Sequence, residues 1–156
     1  MLENHILPGC GIHHIALRAS DLERSIRFYT QQALGFQVIA RWQEGAESIA
    51  MLDTGNGTIL EIFHGGAPGD HTWDKTAGAM FHLAFSVSDV DNAFYRAIQY
   101  GATSKIPPQD VDLPALPQEL KIHNAFVYGP DGEVLEFFRL RNNASASDRI
   151  TEEMNS

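Results

Sequence analysis

Cysteine and basic residues are both scarce in this sequence. Its 156 residues include a single cysteine, Cys10, so no disulfide can form within the chain. Eleven Lys and Arg stand against twenty Asp and Glu, which gives a net charge of -9. A chain this acidic disfavours nucleic acid and anionic membranes as partners, and we expect a small-molecule substrate instead.

Long apolar runs are absent as well. No stretch approaches the roughly 18 to 20 apolar residues that a membrane span needs. The amino terminus, MLENHILPGCG, lacks the basic start and the apolar core of a secretion signal. Together with the lone cysteine, these features lead us to expect a cytoplasmic protein.

The chain contains an internal repeat, which has to be found before the fold can be assigned. The segments GIHHIALRASDLERSIRFY and MFHLAFSVSDVDNAFYRA share one pattern. In each, a histidine in a strand-like stretch is followed seven residues later by an aspartate: His14 and Asp21 in the first, His82 and Asp89 in the second. The repeat predicts two modules of the same architecture.

Each module is predicted to fold as strand, helix and three further strands. The Ser-Asp pairs at Ser20 and Ser88 are typical helix starts, and Ser20 with Glu23 fits a capping box. Each helix is expected to end at a glycine, Gly35 or Gly101. The later strands are predicted at Phe36–Arg41, Ser48–Leu52 and Thr58–Phe63, and at Ala102–Ile106, Ile122–Tyr128 and Glu133–Leu140.

The predicted organisation is one α+β domain over residues 1–156. Its parts are module 1 at about 11–64, a linker at 65–79, module 2 at about 80–140 and a polar carboxyl-terminal tail at 141–156. The segment Pro107–Gln118 carries four of the seven prolines. It is predicted to be a long loop, either a lid or pocket wall or a plain surface loop.

The chemistry is predicted from four side chains at matched places in the repeat. The first strand of each module carries a histidine, His14 or His82, and the last carries a glutamate in an apolar setting, Glu61 or Glu136. A buried carboxylate without a partner is very costly. A module pair related by a pseudo-twofold axis would gather two imidazoles and two carboxylates, a set suited to Ni, Zn, Co, Mn or Fe as a divalent ion.

Two further residues are predicted to contact substrate. Arg18 lies four residues after His14, so strand alternation puts both on one face, where Arg18 could meet an anionic group. A surface ion pair is the alternative reading of Arg18. His123, in the strand before the Gly-Pro-Asp-Gly turn, is predicted to lie at the pocket.

Taken together, the motifs HHIALRASDLERSIRFY, LGF, TILEIF, FHLAFSV and GPDGEVLEFF resemble the vicinal oxygen chelate superfamily, which includes glyoxalase I. The resemblance covers roughly Gly11 to Leu140. It implies paired βαβββ modules in an incomplete, cupped β-barrel around a metal, and a homodimer in many members. It also implies metal ligands at His14, Glu61, His82 and Glu136, and the full set favours the glyoxalase I-like group.

The resemblance also carries alternatives. Ring-cleaving dioxygenases use two histidines and one glutamate, CoA-ester epimerases often have glutamine at the position of Glu61, and bleomycin-binding relatives generally lack the metal set. In bacterial glyoxalase I an asparagine that helps to bind glutathione stands four residues after the first glutamate. This chain has Gly65 there, so glutathione conjugates do not follow as its substrates.

The mechanism predicted on this basis is that of a lyase or isomerase acting on a small carbonyl substrate. A metal-bound enediolate would form when a proton leaves the carbon beside the carbonyl. Glu136, or its counterpart Glu61, would take that proton and return it to the neighbouring carbon.

Overall fold

The computed structural model describes residues 5–8, 10–67 and 77–141. It divides into two compact units, one of residues 1–71 with 130–132 and the other of residues 72–129 with 133–156. Each unit contains one four-stranded mixed sheet. Most of the predicted linker and all but one residue of the predicted tail lie outside the described residues.

The first unit follows the predicted order of strand, helix and three strands. The elements are β1 His14–Ala19, α1 Leu22–Arg27, β2 Gln37–Glu44, β3 Glu47–Asp53 and β4 Ile59–His64. The sheet has the order β1-β4-β3-β2, with β1 parallel to β4 and the other pairs antiparallel. After α1 the chain continues through one π-helical turn at Phe28–Gln32.

The second unit repeats the same order and topology. The elements are β5 Leu83–Ser86, α2 Val90–Gln99, β6 Thr103–Leu113, β7 Leu120–Tyr128 and β8 Val134–Leu140. The sheet has the order β5-β8-β7-β6, with β5 parallel to β8 and the other pairs antiparallel. The predicted α+β class and the twofold βαβββ pattern are both confirmed.

The apolar faces of the helices supply much of each core. Leu22, Ile26 and Tyr29 are buried in the first unit, and Val90 and Phe94 in the second, at the helical spacing that the sequence shows. Among the described residues, no helix combines the length and the apolar character that a membrane crossing requires.

The helix caps differ from the prediction by one residue. Asp21 and Asp89, not the serines before them, are the N-caps, each in extended backbone with φ of -135°. Their side chains accept from the backbone N–H of Arg24 at 3.0 Å and of Asn92 at 2.9 Å. A capping side chain accepts a hydrogen bond from the backbone N–H two or three residues ahead. In this backbone the aspartates, and not the serines, are at the right distance from that N–H. The predicted capping box at Ser20 is therefore wrong.

The predicted long loop at Pro107–Gln118 is also wrong. Strand β6 continues through Leu113, and only residues 114–119 separate it from β7. Pro107 and Pro108 lie at a register shift between Ile106 and Gln109. Proline is tolerated there because β6 is an edge strand and pairs only with β7 in this sheet.

His123 forms a bridge within the second unit. Its Nε2 lies 2.8 Å from Asp91 Oδ2 in α2, and its Nδ1 lies 2.6 Å from Asp110 Oδ1 in β6. The hydrogen bonds to Asp91 and then to Asp110 raise the pKa of His123. The hydrogen bond from His123, with the charge of Arg141, lowers the pKa of Asp110. The bridge thus ties the start of α2 to the edge of the sheet.

The cap assignment predicts unequal effects of two neighbouring substitutions. Asp89→Ala should lower the free energy of unfolding by about 1 kcal/mol, because the N–H of Asn92 loses its acceptor. Ser88→Ala should change it by less than about 0.5 kcal/mol, because Ser88 is an exposed neighbour of the cap. Urea denaturation checks both values, and a larger loss from Ser88→Ala would contradict the assignment.

The bridge predicts a pH-dependent effect of His123→Gln. Folding raises the pKa of His123 above its ordinary value of 6.5, so its stabilisation is complete below that value and is lost as pH rises through the raised pKa. Folding lowers the pKa of Asp110 below 3.8, so its contribution is lost as pH falls through the lowered value. The substitution should therefore lower Tm more at about pH 5.5 than at about pH 9.

The exposed His5 offers the matched control for this measurement. His5→Gln should leave Tm nearly unchanged at both pH values, because no carboxylate of the described residues is bonded to its ring. A decrease in Tm for His123→Gln that is the same at both pH values would contradict a charged bridge.

Candidate functional site

His14 and Glu61 form a pair in the first unit. His14 begins β1 and pairs with Ile59 of β4, while Ala16 pairs with Glu61. Because side chains alternate along each strand and paired residues share a face, His14 and Glu61 lie on the same face of the sheet. His14 Nε2 is 3.5 Å from Glu61 Oε2.

His82 and Glu136 form the equivalent pair in the second unit. His82 stands directly before β5, and Glu136 of β8 pairs with Ala84. His82 Nε2 is 3.2 Å from Glu136 Oε2. The rings of Phe81 and Phe126 contact the His82 imidazole edge to face, with centroids 4.4 and 5.7 Å away, and this fixes the plane of the imidazole.

Both glutamates are buried, each with 7% of its surface exposed, whereas the side chain of His14 is 43% exposed and that of His82 26%. A buried carboxylate needs a partner that compensates its lost hydration. The imidazole opposite each carboxylate is such a partner, and each imidazole is itself partly exposed to solvent.

The geometry of each pair fits a shared cation. Two ligand atoms that each lie about 2.1 Å from one metal ion are about 3.0 Å apart when the angle at the metal is a right angle, and about 3.4 Å apart when it is tetrahedral. The Nε2–Oε2 distances of 3.2 Å in the His82–Glu136 pair and 3.5 Å in the His14–Glu61 pair are close to these values. The Nδ1 of His82 is buried, with no hydrogen-bonding partner in the described part of the chain. Imidazole nitrogen with carboxylate oxygen suits divalent first-row metals.

The four predicted ligands occur as two pairs in this chain, one in each unit. Within residues 5–8, 10–67 and 77–141, no three or more His, Cys, Asp or Glu side chains gather in a group that could hold a metal ion. The binding of one ion by all four residues thus stays a prediction.

Arg18 lies on the face of β1 that carries His14, as strand alternation predicts. Its Nη1 is 2.6 Å from Glu47 Oε1, and its guanidinium lies 5.6 Å from the centroid of the Phe63 ring. With Ala16, Leu17 and Phe63 it lines an open depression. The surface ion pair, which was the alternative interpretation of Arg18, is therefore present as a pair with Glu47. It lies beside this depression.

His123 does not lie on the face of Glu136. Glu136 pairs with Phe126 and His123 with Arg139, so the odd offset between positions 123 and 126 turns His123 to the other face of the sheet. Both of its ring nitrogens are bonded to carboxylates. His123 therefore lies away from the face of Glu136, and its role as a substrate contact stays a prediction.

Asn124 is the site residue that the sequence reasoning missed. It lies on the face of Glu136, is itself buried, and donates from Nδ2 to Glu136 Oε1 at 2.8 Å. The Gly-Pro-Asp-Gly turn carried a signal for it. That turn pairs Tyr128 with Val134. Because every second residue of a strand lies on the same face, Asn124 lies on the face of Tyr128, and Glu136 lies on the face of Val134.

Two curated relatives match the sequence. Uncharacterized protein YwkD of Bacillus subtilis (strain 168) is 38% identical over 84 residues, which cover 53% of this chain and 65% of that protein. A probable lactoylglutathione lyase of Vibrio cholerae serotype O1 is 28% identical over 137 residues, which cover 82% of this chain and 89% of that protein.

Solved structures show the same fold. A glyoxylase/bleomycin resistance protein/dioxygenase domain from Frankia sp. EAN1pec superposes with a TM-score of 0.66 at 25% identity, covering 85% of this chain and 98% of that one. The trypanothione-dependent glyoxalase I of Leishmania major gives 0.59 at 24% identity, covering 94% and 96%. Since the model of the Glyoxalase/Bleomycin resistance protein/Dioxygenase superfamily matches residues 11–137, the chain belongs to that superfamily.

Proposed function

We propose that this chain is a metal-dependent enzyme of the glyoxalase I type, a lyase or isomerase that moves a proton at a carbon beside a carbonyl group. The observation that carries the proposal is the repeated pair of a buried glutamate and a histidine at metal-compatible separation. One such pair would be enough for a structural ion pair. It supplies too few ligands for a divalent ion, so the repetition of the pair favours metal binding.

The proposed ligands are His14, Glu61, His82 and Glu136. When bound, the divalent cation acts as a Lewis acid that stabilises the negative charge developing on the substrate oxygens. One of the two carboxylates takes the proton from carbon and returns it to the neighbouring carbon. Their burial keeps water away from that proton during the transfer.

Arg18 is proposed to bind an anionic group of the substrate. It shares a face with His14 and lines an open depression with Ala16, Leu17 and Phe63. Its ion pair with Glu47 is exposed on both sides, so it is weak enough to exchange for a substrate carboxylate.

A homodimer is the assembly that we propose for the active protein. One pair of a histidine and a glutamate supplies too few ligands for a divalent ion, and in the proposed dimer a pair from a second copy would complete the set. Sedimentation of the metal-loaded protein tests this, and a monomer that binds one ion with full affinity would contradict it.

The Vibrio cholerae relative supports the lyase assignment, because its name describes a probable lactoylglutathione lyase and the match covers most of both chains. The structural likeness to the Leishmania major enzyme supports the fold alone. The substrate class proposed here therefore stays at a small carbonyl compound.

Metal content is the first test of the proposal. His82→Ala should weaken binding of Co²⁺ by at least about 100-fold. Removal of a residue that only supports a ligand weakens metal binding by up to about 100-fold, and removal of a ligand itself should cost at least as much. His123→Ala is the matched control, because His123 lies on the other face of the same sheet. Elemental analysis and calorimetric titration measure both, and equal affinities in the two variants would refute the ligand role.

Turnover is the second test. With the hemithioacetal of methylglyoxal and glutathione as the probe substrate, chelation should abolish isomerisation, and Ni²⁺, Zn²⁺, Co²⁺, Mn²⁺ or Fe²⁺ should restore it. Full turnover by the metal-free protein would overturn the proposal. Oxygen uptake with a catechol and Fe²⁺ would instead identify a ring-cleaving dioxygenase.

A further inference from the structure

Lys105 and Tyr128 are in contact on the second sheet. The Nζ of Lys105 in β6 donates a hydrogen bond to the hydroxyl oxygen of Tyr128 in β7, at 2.9 Å. The same ammonium lies over the Tyr128 ring, 4.9 Å from its centroid, which is within the range of a cation–π interaction. Together the two contacts hold the ammonium in one place, although Lys105 is exposed.

This contact lies on the face of the sheet that carries Glu136. Tyr128 pairs with Val134, and Val134 shares a face with Glu136 because the two are separated by one residue of β8. Tyr128 and Glu136 are therefore diagonal neighbours, with Cα atoms roughly 7–8 Å apart. The next residue of β7 on this face is Phe126, whose ring contacts the imidazole of His82. The contact thus lies one step along the strands from the His82–Glu136 pair.

A bulge in β6 brings Lys105 to this position. Ser104 pairs with Val127 and Ile106 pairs with Phe126, so Lys105 is an extra residue without a direct partner in β7. Bulges are frequent beside active sites, where they change the direction of a side chain. Here the bulge allows the Lys105 side chain to reach Tyr128.

The first sheet has the same bulge with different side chains. The register shift in β2 occurs between Val38 and Ala40, so the extra residue there is Ile39. Asp53 corresponds to Tyr128, because it pairs with the residue two positions before the buried glutamate of the last strand. The repeat thus keeps the backbone irregularity, and the second module has an ammonium and a phenol where the first has an apolar and an acidic side chain.

Lys105 also differs from other basic residues of this acidic chain in having no acidic partner. In the part of the chain that the structure describes, no carboxylate pairs with it. An ammonium has three N–H donors, and the Tyr128 hydroxyl uses one of them, so an anion can bind without displacing an ion pair. Five other basic residues each pair with Asp or Glu: Arg18, Arg24, Arg41, Lys121 and Arg141.

We infer that Lys105 and Tyr128 bind an acidic group of the substrate, a carboxylate or a phosphate, next to the His82–Glu136 pair. This rests on the proposed function and narrows its substrate class to carbonyl compounds that carry an anionic group. The charge of the ammonium strengthens its hydrogen bond to such a group. Arg18 belongs to the other unit and would have to give up Glu47, so Lys105 is the anion-binding residue of the second module.

The experiment measures how the Co²⁺-loaded full chain binds three hydroxamates, by calorimetric titration. All three chelate a metal ion through the two hydroxamate oxygens. Acetohydroxamate has no further charged group, the monohydroxamate of succinate adds a carboxylate, and phosphonoacetohydroxamate adds a phosphonate. The wild type should bind at least one acidic probe about tenfold more tightly than acetohydroxamate, the size expected of one hydrogen bond to a charged group. The acidic probe with the larger gain distinguishes a carboxylate from a phosphate as the bound group.

Matched variants assign this preference to residues. Lys105→Gln should remove it, Lys105→Arg should retain part of it because the charge remains, and Tyr128→Phe should lose part of it. Lys121→Gln is the control and should keep the whole preference, because it removes the same charge from the face of His123, where Lys121 pairs with Asp112. Affinity for acetohydroxamate should be the same in all four variants, a split that a purely structural role of Lys105 would not produce.

Thermal unfolding establishes that each variant folds, and Lys105→Met takes the place of Lys105→Gln if the latter does not. Equal affinities of the wild type for the three probes, or equal losses in Lys105→Gln and Lys121→Gln, would overturn the inference while the proposed function stands. A wild type that does not bind Co²⁺, or whose Co²⁺ does not take acetohydroxamate, would overturn the proposed function, and the inference with it.

Discussion

The parallel pairing of the first and last strands in each module is the constraint on which the candidate site depends. It sets Ala16 beside Glu61 and Ala84 beside Glu136, so a histidine two residues earlier on the first strand lies on the same face as the glutamate. Small alanine side chains next to the carboxylates leave space for the two imidazoles. A shift of one residue in either pairing would turn the glutamate away from the histidine.

Burial of the glutamates connects this geometry to stability. An ionised carboxylate taken out of water costs several kcal/mol unless a partner compensates it. Each module places a histidine at that position, so each carboxylate has a partner within its own module. The repeat therefore supplies two carboxylates in similar surroundings, with Asn124 bonded to Glu136 at the position that Ile49 occupies in the first sheet.

The sequence predicted the features that follow from periodicity. The repeat, the alternation of the strands and the glycine turns determined both modules and placed Arg18 beside His14. Features that depend on the exact register could not be predicted, because a shift of one residue changes the face. Asn124 was overlooked for that reason, and the sequence did not show which face of the sheet carries His123. The prolines of β6 led to the prediction of a loop, because the conformational preference of proline does not reveal that a strand lies at the edge of a sheet, where proline is tolerated.

The edge position of β6 has a consequence for association between chains. An unpaired strand edge offers a row of free N–H and C=O groups to which a strand of another molecule can add. Neither Pro107 nor Pro108 has an N–H with which to bond an added strand, and the register shift beside them interrupts the regular ladder. The segment that the sequence suggested to be a loop thus makes this edge a poor template for the addition of another strand.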